Sequence, residues 1–600
     1  MTKKISLTPL AAAIGLLCAA PAFAAGLDFS GSNIYMKFLD GNQLKANTNS
    51  SIDTASGGDQ GQFTEINLVF KATISKQVEA GGRIQSRSSN AYWTDFGGFG
   101  KEGATNGDQV NTQKWMKLRG AYVLITPGYA WLDQALIGSS QWGQFDPFTV
   151  GAVRYIDRDN YNGLYFKGPL GLAGSSWEFA RVSPPNYLQA NYGQGSTCCS
   201  SDSTQFNEGV YIAQVKVPVG PVKLAGSYQW FNDHQLKADT TPLDGQDSET
   251  FSKNNVLMFK AEGSVMDIVD LKGAFYHSTY KAPLFDQPWI NSPKSDVSGN
   301  AVKLDAAFNN LAPGLGLNFQ YFNIGAGYYS NMAARRESDV LLTEGSESAW
   351  YGWGNQIWLG GAAKDYQQAP SSAHCYATAN GRCAADSGLA AGANGLVDNA
   401  FMDFDEPPNE SVQGWKGLTA LANYEIAKIP MSLELTRVNY NYNWQGYSPT
   451  GPLSNYFNLN NDRRTNIAVF KIGYVVPVAG GIELGAKLKM VDDKNSGDAN
   501  DATDDRTTKD NGITLSVGNQ LFRDLYGSLS WGHYTRKVNA GGTTFDNKKS
   551  ILSAKAAYNL AGVEVGGLAQ WVSGSGDPTE SGTSADIKQY RLKVFVQANF

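Results

Sequence analysis

The residues that could do covalent chemistry are few and scattered. Four histidines occur, His234, His277, His374 and His533, with no Gly-x-Ser-x-Gly elbow and no His-Glu-x-x-His pair beside them. His277 and Ser278 are neighbours on a segment that reads as a strand, so they point to opposite faces and adjacency cannot make them a dyad. Catalysis would need a triad assembled from distant strands, and the chain is read as a non-enzyme. Cys198, Cys199, Cys375 and Cys383 lack zinc-site spacing. In an oxidising compartment Cys375 and Cys383 could clip a loop. Cys198 and Cys199 are either a vicinal disulfide or two thiols with other partners, and three connectivities remain open. The run 492–510 holds Asp492, Asp493, Asp498, Asp501, Asp504, Asp505 and Asp510, an oxygen density that could attract Ca²⁺. Its spacing is not that of an EF-hand and the terminal Glu is missing, so a solvated acidic loop is the simpler reading. No metal and no cofactor is expected.

The remaining chemistry is electrostatic. Arg83, Arg87, Lys117, Arg119, Lys487, Lys489, Arg591 and Lys593 fall on the polar side of alternating segments, against Glu65, Glu483 and Glu564. Such a lining would bias which ions pass a pore toward anions; the competing reading is a solvated wall paired with loop carboxylates. At 154–160, Arg154, Asp157, Arg158 and Asp159 crowd a loop root, either as an eyelet with a transverse field or as a loop anchor of exposed ion pairs. Trp350, Tyr351, Trp353 and Trp358 form the richest aromatic stretch. It could be a track for sugar rings, but it reads better as part of an interfacial girdle.

Groups of this kind need elements with two unlike faces, and the chain supplies them. At 590–600, Tyr590, Leu592, Val594, Val596, Ala598 and Phe600 share one face, and Arg591, Lys593, Phe595, Gln597 and Asn599 share the other. A period of two is a strand, and one apolar face against one wet face suits lipid outside and a lumen inside. Ile66, Leu68, Phe70 and Ala72 alternate likewise with Glu65, Asn67 and Lys71. So do Ile482, Leu484, Ala486 and Leu488 with Glu483, Lys487 and Lys489, and Val563, Val565, Ala569 and Trp571 with Glu564 and Gln570.

Tight turns are expected at 75–79, 126–129, 168–175, 218–221, 264–267, 309–314, 428–430, 477–481, 520–523 and 559–562, most of them marked by Gly, Pro, Asn or Asp. Polar segments of about twenty residues lie between, including 41–61, 92–112, 183–206, 232–252 and 492–510. Ten turns with both termini on one side imply an all-β transmembrane antiparallel barrel of about 22 strands, with a range of 18 to 26. The region 331–410 is its least regular part, either one long loop or a loop with an extra strand at 350–359.

The address agrees. Lys3 and Lys4, an apolar run over 10–20 and Ala22-Phe23-Ala24 read as a Sec signal peptide over 1–24, with Cys18 in the discarded part and the barrel over 25–600. No later run of about 18 apolar residues offers a transmembrane helix, which leaves a closed barrel as the spanning form. A mean hydropathy of −0.32 and a net charge of −6 fit half-wet strands and argue against a nucleic-acid partner. The first strand is expected near Phe29, too early for a transporter's N-terminal plug.

With these features and its terminal Phe600, the mature chain resembles Gram-negative outer-membrane β-barrel porins over its whole length. The resemblance implies location in the outer membrane among lipid and lipopolysaccharide, and Phe600 as the signal read by the barrel assembly machinery. It also implies transport, by passive diffusion, of ions and small hydrophilic solutes through a water-filled lumen narrowed by inward-folded loops. No subfamily is specified, and the oligomeric state stays open. Two alternatives stand beside it: a substrate-specific carbohydrate channel, and a scaffold sheathing a partner such as a multihaem cytochrome. The chain has no Cys-x-x-Cys-His haem site of its own.

Overall fold

Alternating strands with one apolar face can hide their edges only by closing on themselves, and they do. The structure, a computed structural model, describes residues 27–46, 61–89, 116–150 (except 141 and 143), 161–182 (except 173), 209–232, 253–281 (except 266–267), 296–330 (except 326, 327 and 329), 415–440, 464–495 (except 479), 506–576 and 584–600. These form one antiparallel sheet of 23 strand segments. In order they are β1 (Leu27–Asp28), β2 (Asn33–Ala46), β3 (Gly61–Ser75), β4 (Val78–Ser89), β5 (Met116–Ile125), β6 (Gln134–Ser140), β7 (Tyr161–Pro169), β8 (Ser176–Val182), β9 (Gly209–Val219), β10 (Val222–Asn232), β11 (Lys253–Val265) and β12 (Val269–Lys281). There follow β13 (Asp296–Ala312), β14 (Leu315–Ile324), β15 (Trp415–Ile426), β16 (Ile429–Tyr440), β17 (Arg464–Val476), β18 (Ile482–Asn495), β19 (Arg506–Phe522), β20 (Leu525–Ala540), β21 (Thr543–Leu560), β22 (Val563–Gly576) and β23 (Ala585–Asn599).

Both β1 and β2 pair with β3, Leu27 with Ala72 and Asn33 with Asn67, so they are one interrupted stave and the barrel has 22. In the interruption, Ser32 Oγ donates to the Val69 carbonyl and accepts from the Val69 amide, which keeps the ladder's polar groups satisfied. Each stave pairs with its neighbours in sequence, and β2 also pairs with β23 from Asn33↔Asn599 to Ala46↔Ile587, which closes the ring.

At one end lie ten short connections, at 76–77, 126–133, 170–175, 220–221, 266–268, 313–314, 427–428, 477–481, 523–524 and 561–562. They match the ten turns expected from the sequence. At the other end one connection is also tight, with Gly541 and Gly542 at φ 54° and 80°, values that glycine adopts without strain. The acidic run is shorter as a loop than expected: β18 continues to Asn495 and β19 starts at Arg506, so Asp492, Asp493 and Asp510 are strand residues. All the cysteines, the aromatic stretch 350–358, the 154–160 cluster and the leader lie outside the described residues.

The outer face is apolar and open. Phe259, Leu304, Leu418, Leu435, Leu529 and Trp571 are each about half exposed. In water such a belt would be a costly hydrophobic patch; around a closed barrel it is the lipid contact. No helix among the described residues is long and apolar enough to cross a membrane, which says nothing of strands. Closure and belt together make this an outer-membrane β-barrel.

Candidate functional site

With lipid outside, function belongs to the inner face, where exposure follows a gradient. On β12 the inward residues Asp270 and Lys272 near the short-turn end are exposed, while Tyr276 and Ser278 farther along are buried. On β17, Lys471 is half-buried and Val469, Ile467 and Thr465 are buried; on β23 the order runs from exposed Asn599 to buried Phe595 and Lys593. The lumen is a cup open at the short-turn, periplasmic end.

Part of what closes the cup is the chain at 142–150. It leaves the wall at Trp142, whose φ of 52° lies in the left-handed region and turns the backbone inward. The ring is 1% exposed. It fits because the facing wall residue is Gly163, where a Cβ would stand 2.8 Å from the indole. Trp142, Phe145 and Val150 then pack on Tyr165, Val182, Ile212 and Phe231 of the inner wall, with Phe145 edge-on to Tyr165 at 6.2 Å. Burying an aromatic side chain of this size contributes on the order of 2–3 kcal/mol, enough to offset one strained residue.

Phe148 holds the tip. Its ring lies 5.3 Å from Tyr276 and 6.3 Å from Tyr328, with Lys303 Nζ 4.9 Å from its centroid. The backbone polar groups that this segment buries find partners, as they must. Tyr328 Oη donates to the Phe148 carbonyl at 2.6 Å, and Ser330 Oγ to the Thr149 carbonyl at 2.7 Å. Asp146 accepts from Tyr276 Oη at 2.9 Å and from the Phe148 amide at 3.0 Å. At the base, Gln214 and Lys216 reach the Gln144 carbonyl at 3.4 and 3.5 Å, and both are held by Glu178 at 2.8 Å. The result is an inward segment latched to β9, β12 and the chain after β14, with Glu178 of β8 holding the two β9 side chains in place.

The charges singled out in the sequence are dispersed around this cup. Arg83 donates to Asn67 Oδ1 at 3.0 Å on the inner face. Lys487 is inward and half-buried. Lys489 and Lys593 are inward but buried, at 3% and 5%, in the closed half. Arg87, Lys117 and Arg591 lie in β4, β5 and β23, with side chains outside the described ones, and Arg119 is the residue that the β4–β5 pairing skips at a bulge. Arg154 and Arg158 lie outside the described residues altogether.

Lys71, which alternation placed on the polar face, and Lys216 and Lys260, which the reading passed over, each stand beside a carboxylate: Glu79 at 2.9 Å, Glu178 at 2.8 Å and Glu262 at 3.2 Å. Lys471 sits directly opposite Lys487 across the β17–β18 ladder. A cavity of about 780 Å³ at this end is lined in part by Asn423, Glu425, Ser432 and Lys471. Alternation could have found Lys471. The inward segment had only its closely spaced Trp142, Phe145 and Phe148 as a signal.

His277 and Ser278 do face opposite sides, one half-buried and one buried. His533 Nδ1 lies 2.9 Å from Ser550 Oγ on the outer face, with its ring stacked on Trp531 at 6.0 Å. A triad needs its base oriented by a third group, so that contact alone is no active site. Among the described residues no cluster of His, Cys, Asp and Glu could hold a metal ion.

No family model and no curated protein matches the chain. Among solved structures it is similar to the unliganded ferric citrate transporter FecA (8% identity, 95% of this chain and 79% of that one, TM-score 0.42). It is similar also to the copper transporter OprC (9%, 95% and 80%, TM-score 0.41) and to OccK10 of Pseudomonas aeruginosa (7%, 95% and 99%, TM-score 0.29). At such identities and scores the similarities say nothing about activity.

Proposed function

We propose that the chain is a porin, a channel for passive diffusion of small hydrophilic solutes across the outer membrane, with a preference for anions. The observation that carries this is the inner wall: a polar, water-exposed cup that narrows onto a latched aromatic segment. Size selection then resides where Trp142, Phe145 and Phe148 cross the lumen, and charge selection in the cup below it. The lysines at 71, 216 and 260 are matched by carboxylates and contribute little net field. Lys471 and Lys487, opposed across one ladder position, bring two cations together on the wall of the cup and favour anions there.

A sheath for a cytochrome needs a lumen free of chain, and Phe148 and Trp142 stand in that space. A carbohydrate channel would need an aromatic track along the path, and the stretch at 350–358 lies outside the described residues.

The test is single-channel conductance and reversal potential of the refolded mature chain under a salt gradient. Stable open steps with anion preference are expected, and that preference should weaken in Lys471→Gln/Lys487→Gln. The same substitutions extended to Lys489, Arg591 and Lys593 should weaken it further. A correctly folded barrel that never conducts would overturn the channel.

A further inference from the structure

The outer face of β15–β21 changes character abruptly near the long-loop end. Along β16 the outward residues run Leu433, Leu435, Arg437; along β17 Phe470, Ala468, Asn466, Arg464; along β18 Leu488, Met490, Asp492, Lys494; along β19 Leu515, Ile513, Asn511, Lys509. With Lys416 on β15, Lys537 on β20 and Lys548 on β21, seven exposed cations among the described residues stand at the edge of the apolar belt. Among the described residues, the neighbouring anions on that face are Asp492, opposite Lys509 in the ladder, and Asp546, 3.8 Å from Lys537.

The register makes the strip more than a count. Arg464 lies directly opposite Lys494, and Lys509 directly opposite Lys537. Like charges at facing positions of a sheet repel, so each pair gains from an anion between them. Their depth selects the anion's source. A cation at the edge of the belt sits where lipid headgroups lie, and the short turns at the opposite end put this edge in the outer leaflet. Phosphate on a headgroup accepts charge-assisted hydrogen bonds from Arg and Lys while its acyl chains cover the leucines below.

The geometry points to a binding strip on β15–β21 for the phosphate groups of an anionic outer-leaflet glycolipid. It is independent of what passes through the lumen.

The full mature chain would be equilibrated with phosphatidylcholine vesicles doped with bisphosphorylated lipid A, and the lipid retained per chain counted by native mass spectrometry. Arg437→Gln/Arg464→Gln/Lys494→Gln/Lys509→Gln should lower lipid A retention about tenfold, since each surface cation adds a modest attraction to anionic lipid. Lipid A stripped of phosphate should bind wild type no better than the variant. The exchange set Arg437→Lys/Arg464→Lys/Lys494→Arg/Lys509→Arg should keep retention, which separates loss of charge from damage to the fold. Should the four-fold variant fail to show heat-modifiable mobility, Arg464→Gln/Lys494→Gln alone is measured. Equal retention by wild type and neutralised chains would overturn the proposal. So would displacement of lipid A by millimolar inorganic phosphate, or equal retention of phosphatidylglycerol.

Discussion

Phe148 shows how firmly one side chain can be seated inside a barrel far larger than itself. It is fully buried in the lumen between two tyrosine rings, and its backbone is tied by Tyr328 and by the Asp146 that Tyr276 holds. Removing the ring takes away packing worth about 3–5 kcal/mol where a site cannot collapse, yet it touches none of the hydrogen bonds that close the wall. Phe148→Ala is therefore expected to fold with unchanged heat-modifiable mobility and to conduct more per open step than wild type. Tyr276→Phe, which loses one hydrogen bond worth about 1 kcal/mol, should leave the mean conductance near wild type and add brief excursions to larger values. Both are read from single-channel traces; an unchanged Phe148→Ala trace would remove the segment from the permeation path. Little of this was legible beforehand. Alternation assigns faces to strands, but a segment that leaves the wall has no period, and the residues that receive it come from β7, β12 and the chain after β14.

At the scale of the strand, nearly everything followed from a period of two. The parities read along 482–488, 563–571 and 592–600 are those observed, because one slipped residue would exchange the lipid-facing and lumen-facing sets. Adjacent residues on β20 give the sharpest check. Leu529 is 52% exposed on the lipid side, and Ser530 faces the cup between Ser516 and Ser553. Leu529→Lys should cost roughly 2–4 kcal/mol near mid-membrane and Ser530→Lys close to nothing, measured by guanidinium unfolding in vesicles. Strand ends were harder to place. β18 and β19 run past the apolar belt into the aspartates at 492, 493 and 510, because ladder hydrogen bonds continue where hydrophobic patterning has stopped. Asp510 illustrates the reason: it is buried against Arg536 by two 2.9 Å hydrogen bonds, a partner 26 residues away that composition cannot reveal. Charged strand ends of this kind look like loop until their partners are known.

For the whole molecule the question is closure, since an open sheet of this size would leave two unpaired edges in hydrocarbon. The strand count came from counting turns, but a count is silent on whether the first stave meets the last. Here they meet over the length of β2 and β23, and the Phe600 backbone finishes the seam. Its carbonyl accepts from Gly31 at 2.8 Å and its amide donates to Ser32 at 2.9 Å. The terminal residue thus contributes both an aromatic end and two ladder bonds, so deletion of Phe600 removes pairing as well as a ring. Closure itself can be tested by chemistry across the seam. Met36 faces Val596 in the ladder, and opposed residues on neighbouring strands stand about 4.5–5.5 Å apart, within disulfide reach. In a chain with Cys198, Cys199, Cys375 and Cys383 changed to Ser, Met36→Cys/Val596→Cys should cross-link on mild oxidation of the folded protein. Denatured, the linked chain is a loop of nearly its full length and should migrate faster than the reduced form. Met36→Cys/Leu592→Cys, offset by four ladder positions on the same face, should link far more slowly. If the two pairs linked at equal rates, or neither linked, the register of the seam would be wrong. The belt and the cup, both of which depend on one continuous wall, would then have to be redrawn.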